Sequence, residues 1–313
     1  YDLSIDLLPK IYSIGSNFNI KKKLASFFEP NCKYVLTTYD AICAVVGSSN
    51  GEENNFCDVS GTVTSVRTIC NIDKKINLNK TVLSQKISNL DIKLVGHSNN
   101  LGGGLLEWLK QTFYSHEKND DVYHKINNTI EEKKTTNTLF IPYLLGERAP
   151  LVIKHPHGQF LGLSRATDIS DITLSVLESA GFVTKSLIDS ISNSEKIASL
   201  SVSGGLSRLS GVNQIKANIL QVPVNVCRNY ESTSLGCFIL IITSAERSNL
   251  FENINKYVKF SQTIYPQEIQ KKYFENKYIL FQELSSNKFF HEVSSKLNQI
   301  KKTNYELKAN KNL

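Results

Sequence analysis

The sequence contains no methionine and only one tryptophan among its 313 residues. Because translation starts at methionine, we expect Tyr1 to follow residues that lie upstream or were removed. No apolar run approaches the roughly 18 residues that a membrane-spanning helix needs, and the start of the chain shows no secretory signal. We therefore expect a cytoplasmic protein with no membrane partner.

The motifs of several enzyme classes are also missing. The chain has no GxSxG elbow of a serine hydrolase and no GxxxxGK[ST] loop of a P-loop enzyme. The six cysteines form no CxxC pair, and none lies near a histidine at zinc-ligand spacing. His155 and His157 flank a proline and have no neighbouring carboxylate, so they do not indicate a metal site. We expect reduced thiols and no metal held by the protein alone.

Basic residues are in modest excess, with 36 Lys and Arg against 29 Asp and Glu and a formal net charge of +7. The lysines are dispersed and stand beside acidic residues, as in Glu131-Glu132-Lys133-Lys134. No nucleic-acid-binding motif accompanies them. We therefore expect no nucleic-acid partner, and a basic surface that can attract a phosphorylated small molecule.

What the sequence does contain is an alternation of strand and helix patterns. Apolar residues recur at helical spacing in some segments, and β-branched residues cluster in short runs in others. A polar segment over 115–137 predicts a long surface helix or a loop, and the lysine-rich residues 256–313 predict a terminal helix that packs back on the domain. The other predicted elements are strands at 34–37, 197–202 and 222–226, a hairpin within 57–70 that turns on Ser60 and Gly61, a helix opened by Gly102-Gly103-Gly104, and helices at 41–47, 170–191 and 234–248. This order indicates an α/β fold around one main sheet.

Three glycine turns have the character of phosphate-binding sites. Backbone N–H groups can approach phosphate oxygens closely only where no Cβ stands in the way, and a helix N-terminus favours an anion. The turns are Ser60-Gly61-Thr62, Gly102-Gly103-Gly104 and Gly204-Gly205. Taken singly, an ordinary turn explains each of them better than a nucleotide contact.

Two charged positions have both a structural and a functional interpretation. Asp40 stands just before an apolar helix, where it is either a helix N-cap or a general base that accepts a hydroxyl proton. Glu147 and Arg148 either brace a loop or clamp a ligand, and bracing is favoured.

Several stretches, taken together and in order, resemble the FGGY carbohydrate kinases of the actin-like ATPase superfamily. The most specific is PYLLGERAP at 142–150, which is similar to the family's PYLxGERxP segment and is followed by Gly158 to Leu163. Ser203 to Arg208, then Gln214-Ile215 and Val222-Pro223-Val224, are similar to the second signature. Further matches, which extend the resemblance to roughly 8–285, are Asp40 with its helix, Asp58 to Thr62, Gly103 before Trp108, and Glu231 to Gly236.

The resemblance implies a fold and a set of roles. The fold would be an actin-like ATPase (ribonuclease H-like) domain, with a mixed sheet and flanking helices. The residue matching the catalytic base would be Asp40, and the ATP site would be lined by Gly61, Thr62, Gly103, Gly204 and Gly205. The cofactors would be ATP and Mg²⁺, and the substrate a sugar, xylulose-like or gluconate. The resemblance is also compatible with a homodimer.

The sequence also departs from the family pattern. Thr37-Thr38-Tyr39 stand where family members place glycines just before the catalytic aspartate. The tryptophan that the family has in the helix after the second signature is replaced near Val212. The basic residue expected before Gly158 is His157. The DxGTxxxR phosphate loop of the N-terminal domain has no counterpart. We therefore divide the chain into a remnant of the sugar-binding domain with the aspartate segment (1–56), an ATP-binding domain (57–255) and a basic helical tail (256–313). A catalytically inactive, nucleotide-binding remnant is the competing hypothesis.

Overall fold

The fold is that of a computed structural model, which describes residues 4–7, 9–75, 82–117, 119–148, 150–192 and 196–309. The strands are β1 Asn17–Asn19, β2 Lys33–Val35, β3 Asn55–Ser60, β4 Thr64–Asn71, β5 Leu83–Ile87, β6 Ile92–Asn99, β7 Leu139–Tyr143, β8 His157–Leu161, β9 Ser199–Gly204, β10 Val224–Cys227 and β11 Phe260–Ile264. The helices are α1 Asp40–Val46, α2 Gly103–Phe113, α3 Asn119–Glu132, α4 Ile169–Ser192, α5 Ser210–Leu220, α6 Ser232–Glu246, α7 Leu250–Tyr257, α8 Lys271–Ser285 and α9 Lys288–Ala309.

The main sheet has seven strands in the order β11-β10-β9-β3-β4-β6-β5. Strand β9 pairs in parallel with both β3 and β10, whereas β4, β6, β5 and β11 join in antiparallel fashion. The mixed sheet with flanking helices that the sequence predicts is therefore confirmed. In this register Ser60 lies opposite Gly204. Since β3 and β9 are parallel, the turns that follow them lie side by side at one edge of the sheet.

Helices cover both faces of the sheet, and each face has its own apolar core. Because successive side chains of a strand point to opposite faces, Phe56 packs on the side of α2, α3, α4, α5 and α8, while Cys57 packs on the side of α1, α6 and α7. This double cover explains why β4 and β6 read as almost continuously buried segments.

Helices α1 and α6 are in backbone contact. A Cβ added at Gly236 would lie 1.7 Å from the carbonyl oxygen of Cys43, and one at Gly47 would lie 1.9 Å from that of Ser232. No other residue type fits at these two positions without moving the helices apart. The contact fixes α1, which carries Asp40 in its first turn, against α6.

The polar segment 115–137 contains helix α3. Although most of its residues are polar, Val122, Ile126 and Ile130 recur at intervals of four and are buried in the main core. The alternative of a surface helix is thus correct for this part of the chain, and the inward side of α3 forms part of the main core.

The C-terminal region packs back through α8, as predicted, with Phe274, Tyr278 and Phe281 buried. Tyr265 does not take part, because it lies before the helix and is 67% exposed. Residues 256–313 also supply β11 at the edge of the main sheet and a second helix, α9.

None of the helices in the described ranges combines the length and the hydropathy that crossing a bilayer requires.

Candidate functional site

The three glycine turns converge at the edge of the sheet where β3 and β9 end. The N–H of Gly103 donates to the carbonyl of Gly61 at 2.7 Å, and the N–H of Gly102 donates to the carbonyl of Thr62 at 3.0 Å. The N-terminus of α2 therefore sits directly on the β3–β4 hairpin turn. With Gly204 opposite Ser60, the predicted residues Gly61, Thr62, Gly103, Gly204 and Gly205 lie in one region.

Gly204 and Gly205 differ in what surrounds them. Gly204 has φ of 87° and ψ of −174°, a conformation that is essentially restricted to glycine. A Cβ there would also lie 2.4 Å from the carbonyl oxygen of Ser60. Around the Cβ position of Gly205, by contrast, no atom of a described residue other than its chain neighbours lies within 4 Å. Gly204 thus serves the close approach of the two turns, and Gly205 borders open space.

The N-terminus of α2 is not a set of free donors. The N–H groups of Gly102, Gly103 and Gly104 all bond to carbonyl groups of the hairpin turn, the last at 3.4 Å to Thr62. Gly103 therefore offers no unbonded N–H donor. It contributes a surface without a side chain, and a Cβ added there would lie 3.0 Å from the carbonyl oxygen of Gly61.

A buried charged network, which the sequence reasoning missed, lies beneath the hairpin turn. The carboxylate of Asp58 accepts hydrogen bonds from Lys216 at 2.6 Å, from Thr184 at 2.8 Å and from Ser60 at 2.5 Å. Asp58 and Lys216 are at most 2% exposed. The bonds tie β3 to α4 and α5 at the point where the turn begins. The available signal was a charged residue, Asp58, between the apolar Cys57 and Val59 of a strand.

A small cavity of about 10 Å³ adjoins this network, with Thr64, Asn99 and Lys216 among its lining residues. That volume is roughly what one water molecule occupies. The polar groups at the base of the turn therefore border a space with room for no more than about one water molecule.

Glu147 braces the turn between β6 and α2. Its carboxylate accepts from the side-chain amide of Asn99, from the backbone N–H of Asn100 at 3.2 Å and from that of Arg148 at 2.8 Å. The Arg148 guanidinium bonds instead to Asn100 at 2.8 Å. Burial raises the pKa of Glu147, and the hydrogen bonds from Arg148 and Asn100 oppose that rise. The bracing interpretation of this pair is what the contacts show.

Asp40 is the first residue of α1 and is exposed, while Tyr39 occupies the N-cap position. Its Oδ1 accepts from the N–H of Ala41 at 2.7 Å. The N-cap interpretation of Asp40 is therefore wrong by one residue, because Tyr39 is the N-cap. The carboxylate of Asp40 in the first turn nevertheless stabilises the helix. Tyr39 itself donates to Gln85 on the edge strand β5.

Arg67 on β4 lies near enough to Asp40 to feel its charge. Burial lowers the pKa of Arg67, and the nearby Tyr39 and Asp40 oppose this shift. The guanidinium donates to Ser65 and, at 3.2 Å, to Ser98, near the ends of β4 and β6 that face the glycine turns. Asp40 therefore belongs to the α1 face of the sheet, whereas the Asp58 network lies on the α4 and α5 face.

Curated relatives of this chain are kinases. A glycerol kinase of Mycoplasma genitalium is 26% identical over 256 residues, which are 76% of this chain and 48% of the relative. A gluconokinase of Bacillus licheniformis is 24% identical over 267 residues, 82% of this chain and 52% of the relative. The chain thus spans about half the length of these relatives.

Solved structures with the same fold are kinases too. Xylulose kinase from Lactobacillus acidophilus superimposes with a TM-score of 0.77 at 23% identity, covering 90% of this chain and 58% of that one. Plasmodium falciparum glycerol kinase with ADP gives 0.74 at 18% identity, covering 90% and 57%. At these identities the likeness establishes the actin-like ATPase fold. Residues 64–245 match the profile of the FGGY family of carbohydrate kinases, C-terminal domain, and this chain belongs to that family.

Proposed function

We propose that this chain is the ATP-binding portion of a carbohydrate kinase that transfers the γ-phosphoryl group of ATP to a sugar hydroxyl. The observation that carries the proposal is the convergence of three glycine turns around the open space beside Gly205. Ligands of α/β folds typically bind outside the carboxyl ends of parallel strands, and β3 and β9 end here.

The residues fit a nucleotide phosphate chain by their chemistry. Gly61, Gly103 and Gly205 expose backbone without a Cβ, which phosphate oxygens require for close approach. The exposed Thr62 adds a hydroxyl donor. When bound, MgATP supplies the phosphoryl group, and phosphates and water hold most of the Mg²⁺ coordination shell.

Asp40 is assigned the role of general base. Its exposed carboxylate is accessible to a sugar hydroxyl, and its position at the start of α1 is fixed by the backbone contact between α1 and α6. Proton transfer from the attacking hydroxyl to this carboxylate would generate the nucleophile. The glycine turns would stabilise the charge that develops on the phosphates.

The sugar is assigned only by class. A xylulose-like ketose or gluconate is proposed, because relatives and solved structures with those names share this domain. Relatives named glycerol kinase also match, so a short polyol belongs in the substrate panel.

The test uses the full product of the gene, beside its Asp40→Asn variant. We expect phosphorylation of at least one substrate of the panel and a rate loss of about 100-fold or more in the variant, with ATP affinity unchanged in calorimetry. Asp121→Asn is the matched control, because Asp121 is also an exposed aspartate in the first turn of a helix. Full activity of Asp40→Asn would remove Asp40 from the mechanism.

A second candidate is a nucleotide-binding protein without transferase activity. It is favoured by Thr37-Thr38-Tyr39 at the glycine positions before Asp40 and by the bond that holds Tyr39 to Gln85. ATP binding with no transfer to any substrate of the panel, by a full product whose fold is verified, would support this candidate over the kinase.

A further inference from the structure

Two cysteines lie near each other where helices α1 and α6 touch. Cys43 of α1 is fully buried, and Cys237 of α6 is half-buried. The Cys43 Sγ donates to the carbonyl of Thr38 at 3.5 Å, and the Thr37 hydroxyl lies 3.9 Å from the Cys237 Sγ. The segment that precedes Asp40 therefore contacts both sulfur atoms.

The backbone geometry brings the two residues together. At Gly236, the residue before Cys237, the helix is so close to Cys43 that an added Cβ would lie 1.7 Å from the Cys43 carbonyl oxygen. The thiols also interact: burial, and then a hydrogen bond with the Cys237 thiol, raise the pKa of Cys43 to about 11. The close approach of the two helices at these positions places Cys43 and Cys237 near each other, as a disulfide requires.

Cys57 and Cys227, which are also buried, do not pair with each other in this way. Cys57 lies on β3 and Cys227 on β10, and β9 stands between these strands. Two strand spacings amount to roughly 9–10 Å, which exceeds the Cα separation of a disulfide. Cys32 is exposed and can react only with external partners or cysteines brought to it.

We propose that Cys43 and Cys237 form a redox-modification site, in which a peroxide oxidises the two thiols to a disulfide that links α1 to α6. The half-buried Cys237 is the thiol that a peroxide can reach. Cys43, shielded beneath it, is the resolving thiol.

The chemistry balances with one peroxide. The Cys237 sulfur attacks one peroxide oxygen, the O–O bond breaks, and Cys237 becomes a sulfenic acid with release of water. The Cys43 sulfur then attacks the Cys237 sulfur, the S–S bond forms, and the sulfenic hydroxyl leaves as a second water with the Cys43 proton. Two thiols and hydrogen peroxide thus give one disulfide and two waters.

The disulfide would restrict the movement of α1 and of the segment before it. A covalent link would hold the first turns of α1 against α6 and restrict the segment 37–40. Because the link also joins distant parts of the sequence, the oxidised chain should unfold at a higher temperature than the reduced chain. The proposal does not depend on kinase activity, and its test uses no substrate.

The test starts from Cys32→Ser, which removes the exposed thiol. The protein is treated with hydrogen peroxide, alkylated without reduction, and analysed by intact mass and peptide mapping. We expect the intact mass to fall by two hydrogens and the peptide map to contain a cross-linked peptide with Cys43 and Cys237. Dithiothreitol should remove the cross-link and return the melting temperature to that of the reduced protein.

Three further variants distinguish the roles. Cys237→Ser should block the reaction, and Cys43→Ser, which keeps a donor for Thr38, should leave a sulfenic acid at Cys237 that dimedone traps. Cys227→Ser should still form the cross-link. Circular dichroism verifies that each variant is folded. Over-oxidation of Cys237 in the parent without a cross-link to Cys43, or a disulfide between other cysteines, would overturn the proposal.

Discussion

At the scale of single residues, adjacent glycines at the site serve different purposes. Gly204 is required by its positive φ and by the carbonyl of Ser60, whereas Gly205 has open space around its Cβ position. Sequence alone presents them as an equivalent pair. Substitution by alanine at each position separates a structural role from a ligand-binding one.

Gly204→Ala should lower the free energy of unfolding by about 2 kcal/mol or more, because the backbone conformation and the short contact are both unfavourable for alanine. Gly205→Ala should stay within about 0.5 kcal/mol of the parent. It should nevertheless weaken ATP binding by about 1–3 kcal/mol, because the new methyl group would occupy the proposed phosphate space. Urea unfolding and calorimetry measure the two effects. Unchanged ATP affinity in Gly205→Ala would place the phosphates elsewhere.

His97 is a second residue whose environment only the structure reveals. It is 1% exposed, and its Nε2 has no hydrogen-bond partner among the described residues. Burial lowers the pKa of His97 below its usual value of 6.5, and the positive charge of Arg67 lowers it further. The folded protein therefore holds this imidazole neutral where the unfolded chain would protonate it.

The stability contributed by neutral His97 should be complete above pH 6.5 and be lost as the pH falls below it. In that range the unfolded chain binds the additional proton, at a cost of up to about 1.4 kcal/mol per pH unit. Melting temperatures of the parent and of His97→Gln between pH 5 and 8 should show a flatter profile for the variant. Parallel profiles would mean that other groups cause the acid sensitivity.

At the scale of elements, buried ion pairs position helices against one another. Glu178 on α4 bonds to Lys277 and, at 2.7 Å, to Tyr273, both on α8. Burial raises the pKa of Glu178 and lowers that of Lys277, while their mutual attraction opposes both shifts. The pair fixes α8 on the domain. The Asp58–Lys216 pair has the same role beneath the hairpin turn.

Lys277→Met should destabilise the protein by about 3–5 kcal/mol, because it leaves the carboxylate of Glu178 buried without its partner. Adding Glu178→Gln should recover part of the loss. A double-mutant cycle in urea measures the coupling, and Lys271→Met serves as the control, since its ion pair with Glu268 is exposed and should change stability by less than about 1 kcal/mol. Additive effects of the two buried substitutions would show that the pair is not coupled.

At the scale of the whole molecule, the residues of the candidate site are divided between the two faces of the main sheet. The glycine turns and the Asp58 network lie toward α2, α4 and α5, while Asp40, Arg67 and the cysteine pair lie toward α1 and α6. Residues 9–39 add a small β1–β2 sheet and expose several large apolar side chains, among them Ile11 and Phe27.

Much of this architecture could be predicted from the sequence. Segments with strong periodicity, such as α4 and α6, were predicted within about two residues, and glycine turns after β3 and β9 marked the edge of the sheet that carries the candidate site. The β5–β6 hairpin over 83–99 was not assigned, although β6 is an interior strand of the main sheet. Its residues are mixed in polarity, so no alternating apolar pattern marks the two strands.

The sequence by itself determined the family, the α/β class and the identity of the glycine turns, because these depend on local patterns and short motifs. The tertiary structure alone decided which residues meet. It placed Lys216 on Asp58, Glu147 on the turn before α2, and Cys43 near Cys237, pairs separated by tens to hundreds of residues along the chain. Such contacts arise from strand order and helix packing, and local propensity carries no information about them.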